Sequence, residues 1–92
     1  MLKRAAIELP RWAVRVSDLV PVEKKVHFAD ELVPEMAARA RAGELDDAWL
    51  DAQLADYGRD SRVLVRPGVV AWLETTDAPS EVVGPIAAAF GL

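Results

Sequence analysis

The side chains best suited to acid–base chemistry in this sequence surround its single histidine, His27, in the segment KKVHFAD. Histidine is the side-chain type that changes charge near neutral pH without any perturbation. Nucleophilic catalysis would also need an orienting carboxylate, such as Asp30, and a hydroxyl to activate, such as Ser17 or Ser61. No spacing ties these residues together, and a loop histidine bonded to backbone or water explains His27 as well. We therefore predict no catalytic residues and a protein that is not an enzyme.

Four acidic residues follow in the middle of the chain: Glu44, Asp46, Asp47 and Asp51. Carboxylate oxygens suit Mg²⁺ or Ca²⁺, but these residues lack the alternating ligands, central glycine and terminal glutamate of a calcium-binding loop. Asp46 has a sufficient role as the N-cap of a helix. The chain has no cysteine for a thiolate site, and its isolated glycines form no phosphate-binding loop. We expect no metal and no cofactor.

The composition predicts one small domain spanning residues 1–92, because 52% apolar residues against 28% charged ones can form a core with a polar surface. The absence of cysteine and of an N-terminal apolar run favours a cytoplasmic location. No apolar segment is long enough to span a membrane. The net charge of −4 is unevenly distributed. Residues 1–25 carry six basic and three acidic side chains, a net +3, whereas residues 26–60 carry nine acidic and three basic ones, a net −6.

The periodicity of the first two thirds predicts a strand followed by two helices. Large and small side chains alternate from Trp12 to Val16, which is typical of a half-buried strand. A helix is expected to start between Glu31 and Pro34 and to end at Gly43. A second helix is expected to begin after Asp46 and to end at Gly58.

The last third predicts a β-hairpin at residues 62–75 and a C-terminal helix. Arg66-Pro67-Gly68-Val69 matches a type II turn, and the flanking arms are rich in β-branched residues. Beyond Asp77, apolar residues recur at helical spacing, with Pro85 expected to kink or restart the helix. The predicted fold class is therefore α+β, in the order strand, helix, helix, β-hairpin, helix.

The predicted hairpin carries large apolar side chains on both faces, although a two-layer fold needs only one. We interpret the surplus, centred on Trp72, as a binding surface for a partner. The acidic second helix would complement a basic partner. The residues predicted to bind the partner are Trp72, Val70, Leu64, Arg66, Asp47 and Asp51.

The order helix, short turn, helix, hairpin resembles the core of a winged helix, which implies a DNA-binding transcriptional regulator. The second helix would then face DNA with Asp47 and Asp51 and no lysine or arginine, so phosphates would repel it. The same order resembles the small toxins of toxin–antitoxin systems that cleave messenger RNA, which are expected to be basic. The leading prediction is a small acidic protein that binds another protein or itself as a homodimer: an accessory subunit, an inhibitor or immunity-type protein, or a phage-encoded factor.

Overall fold

A computed structural model describes residues 9–92, and every regular element among these residues is helical. The predicted α+β class and its winged-helix-like arrangement are therefore wrong, since the described residues contain no strand that could form a wing. None of these helices combines the length and apolar character needed to cross a bilayer. The elements are α1 (Arg11–Val14), α2 (Val22–His27), a π-helical turn (Phe28–Leu32), α3 (Val33–Ala42), α4 (Asp47–Leu54), a 3-10 helix (Ala55–Tyr57), α5 (Ser61–Thr75) and α6 (Ser80–Ala89).

The segment predicted as a hairpin is the longest helix, α5. Pro67 lies in its second turn and has no N–H to donate to the carbonyl four residues earlier. The next residue after that carbonyl is Leu64, and its own carbonyl accepts a hydrogen bond from the Ser17 backbone N–H at 3.0 Å. Gly68 is buried, and a Cβ atom there would overlap Cγ2 of Val16 and lie 3.1 Å from the Phe28 ring. Gly68 therefore allows α5 to pack closely against Val16 and Phe28, and it does not form the predicted turn.

The predicted strand at residues 12–16 is also helical. Pro10 precedes α1, and its carbonyl accepts hydrogen bonds from the N–H groups of Ala13 and Val14. The helix buries Ala13, and Val16 just beyond it is buried as well. These two residues are three apart, so they lie on one side of a helical turn and face α5 together.

The first predicted helix is confirmed as α3, with Pro34 in its first turn and Gly43 ending it in the left-handed conformation at φ +74°. The π-helical turn joins α2 to α3, and the N–H of Val33 donates to the carbonyl of Phe28, five residues earlier. His27 therefore lies at the end of a helix and not in a loop.

The second predicted helix is confirmed as α4. The Asp46 side chain accepts a hydrogen bond from the Trp49 backbone N–H at 2.8 Å, as an N-cap residue does. The C-terminal helix is confirmed as α6, although it continues through Pro85 without restarting.

The core lies between the π-helical turn, α3, α4, α5 and α6, with α3 packed on α6 and α1 packed on α5. Each helix contributes apolar side chains at helical spacing, which is why burial and periodicity agree along these segments. The largest fully buried side chains are Phe28, Leu32, Met36, Leu50, Leu54 and Ile86.

Candidate functional site

The single histidine takes part in a hydrogen-bonded chain with Tyr57. Nδ1 of His27 lies 2.7 Å from the Tyr57 hydroxyl, which donates to the Lys24 carbonyl oxygen at 3.0 Å. The Tyr57 oxygen therefore lies within hydrogen-bond distance of both the His27 imidazole and the Lys24 carbonyl. Burial raises the pKa of Tyr57 well above its ordinary value, and the carboxylate of Glu31 raises it further. The arrangement ties α2 to the 3-10 helix.

The residues considered for a catalytic group with His27 do not surround it. Neither Ser17 nor Ser61 forms a hydrogen bond with the imidazole, and Ser17 accepts one from the Leu19 backbone N–H. Asp30 is exposed in the π-helical turn. Across residues 9–92, no three histidine, aspartate or glutamate side chains are grouped as metal ligands.

Asp47 and Asp51 bind an arginine of their own chain. The Arg62 guanidinium donates to Asp51 Oδ1 at 2.9 Å and to Asp47 Oδ1 at 3.1 Å. The same guanidinium donates to the Ala89 carbonyl at 2.9 Å, so it joins α4, α5 and the end of α6. We call this arrangement the Arg62 clasp. Arg66, one turn further on, donates to the Phe90 carbonyl at 3.1 Å.

The remaining residues of the predicted binding surface lie on α5 and do not form a single patch. Leu64, Val70 and Trp72 are half-buried, and both Leu64 and Trp72 pack against the core. Helical spacing places Leu64 and Trp72 on one side of α5, whereas Arg66 and Val70 lie on another. Because this segment is a helix, its apolar side chains point in several directions. A hairpin would have placed the surplus ones together on its second face.

An open groove lies between α1 and the C-terminal half of α5, and sequence reasoning missed it. We call it the α1–α5 groove, and its volume is about 360 Å³. From the α1 side it is lined by Arg11, Trp12, Val14 and Arg15. From α5 it is lined by Ala71, Glu74 and Thr75.

The apolar part of the α1–α5 groove is held in place by the core. The Trp12 ring meets Phe28 edge-on, with 5.8 Å between centroids and 66° between planes. Phe28 is fully buried, so Trp12 is fixed on one side while its half-buried ring lines the groove. Val14 leaves 54% of its surface exposed beside it. Ala71 is almost fully buried, and its small side chain leaves the groove open above it.

The rim of the α1–α5 groove is mainly basic. Arg11 and Arg15 are exposed and lie four residues apart, so they project from the same side of α1. Within residues 9–92, ion pairs join other charged side chains and neither of these two arginines. Glu74 is the one carboxylate among the lining residues that the structure describes. The spacing of Arg11, Val14 and Arg15 was visible in the sequence, but it indicates one surface only when this segment is helical.

No protein-family model matches this chain, and comparisons with curated proteins and with solved structures found no similar protein.

Proposed function

We propose that this is a non-enzymatic protein that acts by binding a segment of another protein in the α1–α5 groove. One observation carries the proposal. The groove combines a half-buried Trp12, fixed by its contact with the core, with an exposed Val14, and Arg11 and Arg15 line the same groove. Roles that fit such a protein are an accessory subunit, an inhibitor or immunity-type protein, or a phage-encoded factor. The cysteine-free sequence supports a cytoplasmic location.

The groove has the composition that supports protein recognition. Tryptophan and arginine are the residue types most enriched among side chains that dominate binding energy at interfaces. Trp12 is already packed on Phe28, so binding would cost little of the side-chain entropy that a mobile anchor loses. Apolar side chains surrounded by charged ones also match the usual arrangement of a protein interface, with an apolar centre and a polar rim.

Val63, another exposed valine, also lies beside two arginines, but those arginines are already engaged. Val63 is 67% exposed, more than Val14, but it neighbours Arg62 and Arg66, which already bind carbonyls and carboxylates of their own chain. Single exposed apolar residues are common on protein surfaces and need no partner. Val63 therefore provides a matched control for Val14.

Site-specific photo-cross-linking tests the proposal. A photoreactive amino acid is introduced at Val14 in one variant and at Val63 in another, and each is expressed in cells of the organism that encodes the protein. We expect a discrete adduct from the Val14 variant, in which mass spectrometry identifies a peptide of a different protein. The Val63 variant should give no adduct of that mass.

Three outcomes would contradict the proposal. The first is an equal yield of the same adduct from both positions, which would mean that contact is not specific to the groove. The second is a Val14 adduct with a second copy of this chain, which would replace a heterologous partner by self-association. The third is the absence of any adduct, provided that circular dichroism shows the variant to be folded.

A further inference from the structure

We propose that the segment bound in the α1–α5 groove is acidic, with one or two apolar anchor side chains flanked by aspartate or glutamate. This inference rests on the proposed function and specifies the chemistry of the partner. It is drawn from the charges on the two walls of the groove and from the distribution of charge over the rest of the molecule.

The α1 wall offers two positive charges that other described residues leave available. Arg11 and Arg15 are both exposed, and no carboxylate within residues 9–92 lies at ion-pair distance from either. By contrast, Arg62 is held by two carboxylates and two backbone carbonyls. Arginine presents a planar fork that matches a carboxylate, so a pair of arginines one turn apart can hold two acidic side chains at helical spacing.

The opposite wall limits how the acidic side chains can lie. Glu74 projects from α5 and would repel a carboxylate placed on that side. The acidic side chains of the bound segment are therefore expected to face α1, with the apolar anchors pointing down onto Trp12 and Ala71. This gives the segment a defined orientation across the groove.

The rest of the surface directs an acidic segment to this site. Residues 26–60 carry a net charge of −6, and no residue of that range lines the α1–α5 groove. An acidic segment would be repelled by the excess carboxylates of residues 26–60 and attracted by the basic rim, which favours productive encounters. A basic segment would instead be attracted by those carboxylates, none of which lines the groove.

The volume of the groove is consistent with short anchors. About 360 Å³ is near the lower end of the range for ligand pockets, about 300–1,000 Å³. Trp12 forms an aromatic floor, and Val14 extends the apolar surface towards solvent. A leucine or methionine would bury its side chain here while its neighbours stayed at the arginine rim.

The test uses two synthetic fluorescent peptides that share two leucines at helical spacing. One peptide surrounds the leucines with glutamates and the other with lysines. Anisotropy titrations with the whole protein are expected to show saturable binding of the glutamate peptide only, weakening as salt is added. The double variant Arg11→Glu and Arg15→Glu should weaken that binding by about tenfold or more. The double variant Arg41→Glu and Arg59→Glu changes two exposed arginines outside the groove and should not.

A further pair of variants tests the apolar anchor independently of charge. Val14→Ser should weaken binding of the glutamate peptide, whereas Val63→Ser, at a valine that is more exposed, should leave it unchanged. Both positions are exposed, so neither change disturbs the core. Equal losses from Val14→Ser and Val63→Ser would contradict the assignment of the anchor to the groove.

The outcomes separate this inference from the proposed function. If Val14 cross-links to another protein but the lysine peptide binds as well as the glutamate peptide, the acidic assignment is wrong and the groove remains a binding site. The same holds if Val14 cross-links and neither peptide binds. If Val14 gives no adduct and neither peptide binds, both proposals fail. Equal losses from the groove and control arginine variants would show a general charge effect and would overturn the inference.

Discussion

The substitution Gly68→Ala tests how α5 packs against α1. Two effects oppose each other, because alanine favours a helix interior over glycine by about 1 kcal/mol, and overpacking a filled core costs about 1–3 kcal/mol. The added methyl group would overlap Cγ2 of Val16 and press on Phe28. Both neighbours are buried, and a β-branched valine has few alternative rotamers, so the packing cost should be near its upper limit. We expect a net loss of about 1–2 kcal/mol in the free energy of unfolding.

Thermal and urea unfolding followed by circular dichroism would measure this loss. For a domain of this size, 1 kcal/mol corresponds to a change in Tm of about 4–8 °C, so the expected decrease is readily detected. Gly84→Ala is the control, since Gly84 also lies inside a helix and has no atom within 4 Å of a Cβ position. Pro85 restricts the residue before it, which offsets part of the helix-propensity gain, so Gly84→Ala should change stability little or increase it.

A double-mutant cycle locates the cause of the loss. Val16→Ala removes the methyl group that Gly68→Ala would overlap, so the glycine substitution should cost about 1 kcal/mol less in that background. The reasoning is refuted if Gly68→Ala stabilises the protein as Gly84→Ala does. It is equally refuted if Gly68→Ala costs the same with and without Val16.

Three further predictions concern stability. Arg62→Lys should lower the free energy of unfolding by about 1–2 kcal/mol in urea, because lysine cannot reach Asp51 and the Ala89 carbonyl together. Asp46→Ala should lower it by about 0.5–2 kcal/mol, with a matching fall in the thermal midpoint, because the N-cap hydrogen bond is lost. Tyr57 is the only tyrosine, so tyrosinate absorbance reports it alone. Its raised pKa means that the unfolded chain ionises first, so stability should fall as pH rises above about 10, and Tyr57→Phe should flatten that fall in urea midpoints.

Helices whose ends are specified locally were predictable from the sequence. Gly43 and Asp46 act through their own backbone and the next few residues, so the end of α3 and the start of α4 follow from residue type alone. The C-terminal helix also follows from periodicity. Its continuation through Pro85 does not, because a kink depends on what surrounds the proline.

The hairpin predicted at residues 62–75 was wrong because a local sequence pattern serves packing against residues that are distant in the sequence. Pro67 and Gly68 satisfy the requirements of a type II turn, but the glycine is needed because Val16 and Phe28 occupy the space of a side chain. Those neighbours are at least forty residues away in sequence. Tertiary packing therefore overrides the turn signal, and periodicity at Val65 and Val69 was the better guide.

The candidate site was missed for a related reason. The α1–α5 groove joins residues near position 12 to residues near position 72, and no sequence pattern reports that proximity. Because residues 12–16 were interpreted as a strand, Arg11, Val14 and Arg15 were not recognised as parts of one surface. The hydrogen bond between His27 and Tyr57 spans thirty residues, so neither its existence nor its geometry could be derived from the segment around His27.

The π-helical turn sets how far α2 is rotated about the helix axis relative to α3. Its i to i+5 hydrogen bond accommodates one residue more than an α-helical turn would, as a single-residue insertion does. Removing one of its exposed residues, such as Glu31, would restore a regular helix and rotate α2 by about 100° relative to α3. His27 would then turn away from Tyr57, while α3 could keep its contacts with α6. Inserting or deleting a residue in the π-helical turn would therefore misplace the whole of α2, whereas most substitutions there would change a single side chain.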